Sequence, residues 1–284
     1  MDVNGDGICD ILSGSYSRQD QDMAGLFQVL YGMKGGTFRK PVALDGSDGQ
    51  PLILPAGDNV DRICTRPFAC DLDGDQKLDI VTGNFKGTFG FFQGEGGGKF
   101  RPQASWLVAG DRPMGVGHHS DPFLVDWDKD GDLDLLSGSA GGGVFLFVNA
   151  GTRTAPKFRA SVTLLEPAGH GGDAMRFGDD HCVAPASDTR VWAADVDGDG
   201  KLDLLVGDTV TLYTAADGVA EEEARAKDAA WTKRQEELMQ SYPQGEADAA
   251  ATERWQEEFT KHLMARKQFL QEDRTGFVWL LRQR

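Results

Sequence analysis

The chain has no apolar run long enough to cross a membrane as a helix, and no leader-like segment is visible at its start. The marks of the commoner catalytic machineries are missing too: no Ser-His-Asp order, nucleophile elbow, glycine-rich phosphate loop or Cys-x-x-Cys pair. Positive charge is scarce. Lys and Arg number 29 against 45 Asp and Glu, a formal charge of −16, which argues against nucleic acid or an anionic membrane as partner. Cysteine, at four residues, is too sparse to define a compartment. Cys64 and Cys182 lie in long connections where they could pair. Cys9 and Cys70 occupy slots filled elsewhere by Leu78 or Val125 and read as small core residues.

Glycine and aspartate are plentiful instead. The 37 Gly suit a turn-rich β fold, and a hydrophobic content of 40% can bury a substantial core. The aspartates gather in one nine-residue phrase written four times, starting at residues 2, 71, 126 and 195. Oxygen side chains fall at positions 1, 3, 5 and 9: Asp2, Asn4, Asp6 and Asp10; Asp71, Asp73, Asp75 and Asp79; Asp126, Asp128, Asp130 and Asp134; Asp195, Asp197, Asp199 and Asp203. Ile8, Lys77, Asp132 and Lys201 at position 7 would add a backbone carbonyl. Such a set can surround a hard cation that takes six to eight oxygens, so each phrase reads as a calcium site. Acidic turns alone would explain the glycines but not an acid or amide at every odd position, and carboxylates packed this closely repel one another without a cation.

These are not EF-hands, which need a Glu at position 12 and flanking helices. The loops run instead into short apolar segments such as Ile80-Val81-Thr82-Gly83 and Leu135-Leu136-Ser137-Gly138, and follow Phe68-Ala69-Cys70 or Phe123-Leu124-Val125. Both sides read as strands, so the ion is held in a β-hairpin. Loop two carries Gln76 where the others have Gly, which predicts a strained, weakest site there.

Repeat spacings of 69, 55 and 69 residues fit propeller blades. A third strand is expected at Leu26–Tyr31, Phe89–Phe92, Val144–Val148 or Phe277–Leu281, and a fourth opening at Phe38, Phe100 or Phe158. The Asp-x-Asp-x-Asp-Gly-x-x-Asp phrase followed by a hydrophobic strand ending in Gly resembles the FG-GAP or VCBS repeats of β-propellers, the group that includes the cation-binding blades of integrin α-chains. The resemblance implies an all-β propeller of four-stranded blades, at about residues 1–50, 67–110, 122–166 and 191–284, and bound calcium. Met1 abuts the first loop and the last repeat stops after its third strand, which predicts absent upstream blades.

Fifteen carboxylates fall at ligand positions, three in the first loop and four in each other. Four calcium ions would bring the formal charge from −16 to about −8, an ordinary surface value. Calcium sites of modest affinity fill where calcium is millimolar, so a secreted, periplasmic or cell-surface location is expected.

The last repeat carries an insert. Asp126 and Gly143 are 17 residues apart, whereas Asp195 and Gly276 are 81 apart. The inserted residues, about 217–273, are helical in composition. Ala224, Trp231 and Leu238 recur every seven residues; Trp255, Phe259 and Leu263 every four; Tyr242-Pro243-Gln244-Gly245 breaks between them. A helical hairpin follows, with Glu221-Glu222-Glu223 on a solvated face.

Strand parity puts the acidic loops at one end of the blades and every long connection at the other, where a rigid scaffold would present a binding surface. There lie Arg66, His118, His119, Asp121 and Arg190, with Arg62 and His181 in neighbouring connections. The two histidines and Asp121 suit either a transition-metal site or hydrogen bonds that fix the loop. The function expected is a binding or adhesion module for protein or glycan without chemistry of its own; the alternatives are a polysaccharide hydrolase or lyase using the same face, and a purely structural segment.

Overall fold

A computed structural model describes residues 1–16, 26–55, 59–167, 178, 182–243 and 249–283. The chain divides into two compact units. The first holds four antiparallel sheets, the arrangement of a β-propeller.

Sheet two runs in the order Arg66–Cys70, Asp79–Gly83, Phe89–Phe92, Ser105–Trp106. Sheet three repeats it with Asp121–Val125, Asp134–Gly138, Val144–Phe147 and Val162–Leu165. Sheet one has Ile11–Ser13, Gln28–Leu30 and Val42–Ala43, and sheet four Ser187–Ala194, the long strand Asp203–Ala215 and Val278–Leu281. The inner strands Arg66–Cys70, Asp121–Val125 and Ser187–Ala194 pack side by side. Alternation along each strand sends successive residues to opposite faces: Leu124 and Leu135 join the core shared with sheet two, while Phe123 and Leu136 join that shared with sheet four. Phe68, Phe123 and Trp192, at matching inner-strand positions, form an aromatic chain with centroid spacings of 5.3 and 4.9 Å, the first pair edge-on and the second tilted.

The outer strands begin later than expected. Phe38 and Phe100 belong to two-stranded ribbons, Gly32–Met33 with Thr37–Phe38 and Gly94–Gly96 with Lys99–Phe100, and Phe158 makes an isolated bridge to Asn149. The blade edge forms four or five residues on, at Val42, Ser105 and Val162. Pro41 and Pro102 stand in the first two gaps, where a residue without an N–H cannot continue a ladder.

A latch recurs between sheets. Ser15, Asn84 and Ser139 donate their N–H groups to the hydroxyls of Thr65, Ser120 and Thr189 in the next repeat, each at 3.0 Å. The strands approach so closely there that a Cβ on Gly14, Gly83 or Gly138 would lie 1.8, 2.0 or 2.1 Å from the carbonyl oxygen of that same Thr or Ser. Only glycine fits.

All four cysteines are free, so Cys64 and Cys182 are not paired. Cys70 is buried as expected, but Cys9 is exposed. Its counterparts Leu133 and Leu202 pack against the core of the sheet before theirs; sheet one has no such predecessor among the described residues.

In the second unit, Val210–Ala215 pairs with Leu270–Thr275 to make a ribbon that carries helices α1 (Glu221–Gln240) and α2 (Ala249–Arg266). Contacts between Asp228 and Arg266, Trp231 and His262, and Leu238 and Trp255 make the helices antiparallel. Ala224 and Leu238 are buried as expected. Leu263 is instead 41% exposed, because a spacing of four advances about 40° beyond a full turn each time; the stripe returns through His262 and Arg266. Arg266 pairs with Asp228 at 2.8 Å and lies over the rings of Tyr213 and Trp231, 4.6 and 4.5 Å from their centroids. Gln244 and Gly245 of the anticipated break lie outside the described residues.

Candidate functional site

The acidic loops are organised by their own backbone. The position-1 carboxylate accepts N–H groups from across the turn: Asp2 from Gly5 and Gly7, Asp71 from Gln76, Asp126 from Gly131, Asp195 from Gly198 and Gly200. Position 3 accepts from position 5 at Asn4, Asp73 and Asp197. Position 5 accepts from position 7 in all four loops, with Ile8, Lys77, Asp132 and Lys201 as donors.

Position 9 does something different. Asp10, Asp79, Asp134 and Asp203 are at most 5% exposed, and each carboxylate takes two backbone N–H groups. One comes from position 2 of its own loop, Val3, Leu72, Trp127 or Val196. The other comes from the second residue beyond the third strand, Gly32, Gly94, Asn149 or Gln283. Burial pushes the Asp79 carboxyl up to about 6 against the opposing pull of those hydrogen bonds. Asp134 is raised for the same reason.

Three loops bring their acids together. Asp71, Asp73 and Asp79 offer oxygens within 4.8 Å of one another, as do Asp126, Asp128 and Asp134, and Asp195, Asp197 and Asp199. Asp75, Asp130 and Asp203 stand outside these groups, and Asp2, Asp6 and Asp10 do not form one among the described residues. Within the groups of loops two and three the fit to a cation can be tested directly. Asp71 Oδ1 and Asp126 Oδ1 are buried without a hydrogen-bond partner, a costly state for an anionic oxygen that a metal ion would relieve.

Asp132 adds a feature the phrase does not reveal. Its side chain is 5% exposed, Oδ1 has no partner, and its carboxyl is raised by burial and then by Asp130, Asp128 and Asp126. Position 7 of loop three therefore brings a carboxylate beside its neighbours. Cations also reach the loops: Lys77 to Asp75 at 2.9 Å, Arg153 to Asp71 at 3.1 Å, and Lys129 to the Gly200 carbonyl of the next repeat.

Gln76 has the left-handed φ expected, 67°, but Lys129 at position 4 of loop three has φ 64°. One residue in each loop bears the roughly 1–2 kcal/mol penalty. Strain alone does not rank loop two below loop three.

At the opposite end of the inner strands, Arg66, Asp121 and Arg190 occupy matching registers, each across the ladder from a glycine: Gly83, Gly138 and Gly207. Arg190 Nε lies 3.1 Å from Asp121 Oδ2. Burial lowers the Arg66 guanidinium, Arg190 beside it adding to the effect, and burial lowers the His119 imidazole, Arg66 adding. Burial raises the Asp121 carboxyl against the pull of both arginines. His118 and His119 both face Phe85, with ring centroids 6.0 and 4.5 Å away. Among the described residues no histidine joins a metal-ligating group. His181 lies outside them.

Residues 71–137 and 126–206 match the family model of the FG-GAP-like repeat. The chain carries FG-GAP-like repeats. Each match begins at the first Asp of one acidic loop and ends in the strand after the next, so an FG-GAP-like repeat spans the join between two sheets rather than one sheet. No curated relative matches the chain. Repeats of this kind in a propeller fit a binding module.

Proposed function

We propose that this propeller is a calcium-stabilised binding module working outside the cytosol, secreted, periplasmic or at the cell surface, with a protein or glycan as partner. The observation that carries the reading is the pair of partnerless buried oxygens, Asp71 Oδ1 and Asp126 Oδ1, inside three-carboxylate groups. Asp71, Asp73 and Asp79 would hold one ion, Asp126, Asp128 and Asp134 a second, Asp195, Asp197 and Asp199 a third; Asp2, Asn4, Asp6 and Asp10 offer a fourth, weaker set. Calcium would supply a hard divalent charge that neutralises each cluster. The lysines and arginines at the loops balance part of the charge and would compete with it.

The blades span about residues 1–50, 67–110, 122–166 and 191–284, and the helical hairpin, about 217–273, is an appendage. Docking is assigned to the end of the blades bearing Arg66, His118, His119, Asp121 and Arg190, which lies one strand length from the acidic loops. Thermal melting with calcium and with a chelator tests the calcium part. A ligand that binds only the folded state at a hundredfold excess over its dissociation constant stabilises by about 2.7 kcal/mol per site, so the midpoint should rise by several degrees; an unchanged midpoint would remove calcium from the reading.

A further inference from the structure

Three tripeptides open the inner strands: Cys64-Thr65-Arg66, His119-Ser120-Asp121 and Asp188-Thr189-Arg190. Their first residues all have left-handed backbones, with φ of 55°, 54° and 50°, although none is glycine. Strain of this kind persists only where the surroundings enforce it, and it concentrates at ligand-binding positions. The hydroxyl of each middle residue forms the inter-sheet latch, so the first and third residues are held on a rigid frame. Two side-chain nitrogens in this cluster are buried without a partner: Arg66 Nη1 and His119 Nδ1. Such groups rarely go unsatisfied in a folded protein.

We propose that this cluster binds a single carboxylate carried by a sugar, a uronate, with Arg66 Nη1 and His119 Nδ1 as the two donors. A guanidinium matches a carboxylate in shape as well as charge, and Arg190 is already paired to Asp121 at 3.1 Å. The cluster holds two arginines and two aspartates around a neutral histidine, so it suits one negative charge better than a doubly charged phosphate. The formal charge of −16 opposes a densely charged polyanion and favours an isolated acidic residue on an otherwise neutral chain. The half-buried Phe85 ring, flanked by both histidines, offers an apolar edge for the C–H face of a pyranose. The inference rests on the assignment of this end of the blades as the docking face.

Calorimetric titration of the calcium-loaded full chain with glucuronate, glucose and N-acetyl-aspartate amide tests it. Binding of glucuronate but not glucose is expected, weakened at least tenfold in Arg66→Gln and less in Arg66→Lys, with melting midpoints of both variants near that of the wild type. Reduced affinity in His119→Phe, which keeps the ring but not the donor, would support the second contact. Equal binding of glucose, or full affinity in Arg66→Gln, overturns the site. Binding of the aspartate amide alone overturns the sugar and points to an acidic peptide. If glucuronate fails while calcium still raises the melting midpoint, the carboxylate site falls and the calcium-stabilised module stands.

Discussion

Thr189 shows how much one buried hydroxyl can hold. Its Oγ1 accepts the Ser139 N–H at 3.0 Å and lies within donating distance of the Gly143 and Ser139 carbonyls, at 2.7 and 3.2 Å. Thr189→Val keeps the shape and removes the hydroxyl, leaving a buried N–H unsatisfied at a cost of about 1–3 kcal/mol. Gly138→Ala forces a Cβ against the Thr189 carbonyl and should cost about 1–3 kcal/mol by overpacking. Urea unfolding of each variant and of the double mutant checks this; strict additivity would show that the two residues do not share one latch. His119 predicts a pH effect. Its imidazole is depressed by burial and then by Arg66, so below about 6.5, the ordinary value, the unfolded chain binds the proton more readily. Stability therefore falls as pH drops through that window. His119→Asn should flatten the wild-type loss between pH 7 and 5 in denaturant melts at fixed calcium; parallel profiles would contradict the assignment. The latch was not legible in the sequence, because its Thr and Ser stand just before the apolar run that signals the strand. Lys129 was legible: it stands at position 4, where the other three loops have Gly5, Gly74 and Gly198, all with positive φ, the same signal that marks Gln76 at position 6.

At the scale of elements, the apolar runs marked the inner and second strands well, since both faces of those strands pack against neighbouring sheets and the pattern is nearly continuous. The outer strands were harder to see. Val162–Leu165 is mostly exposed, and a strand with little to bury leaves little periodicity. Arg266 was missed because a charged residue on the inner stripe of a helix contradicts the expected pattern, although its ion pair and two ring contacts fill the place of an apolar side chain. The acidic loops separate two roles that the phrase writes with one letter. Asp128 belongs to a carboxylate group, whereas Asp134 also ties two strands by backbone N–H bonds. Asp128→Ala should lower calcium affinity while leaving chelated stability nearly unchanged. Asp134→Ala should destabilise the chelated protein as well, by about 2–4 kcal/mol for two lost charge-assisted hydrogen bonds. Melting both variants in chelator, then in calcium, distinguishes the roles; equal losses in chelator would show that position 9 is only a ligand.

At the scale of the whole molecule, the helical hairpin was legible from a change of period, but its footing was not. The second strand of sheet four continues past the blade and pairs with Leu270–Thr275, an extension concealed because its residues, Thr209 to Thr214, still read as ordinary strand. Val210 and Thr275 face each other across that ladder, so replacing 211–274 by a short Gly-Ser turn closes a natural gap. The shortened chain should unfold cooperatively and keep its calcium shift, with the helical circular dichroism gone. Aggregation or loss of cooperativity would make the second unit part of the fold.

The position-9 aspartates turn metal binding into a property that can be read amide by amide. Each carboxylate holds one N–H in its loop and one beyond the third strand, so an ion drawing on the same oxygens would stiffen both ends of a repeat together. In hydrogen exchange, the amides of Leu72 and Gly94 should slow as a pair when calcium is added, and those of Trp127 and Asn149 as another, each pair reporting the occupancy of its own site.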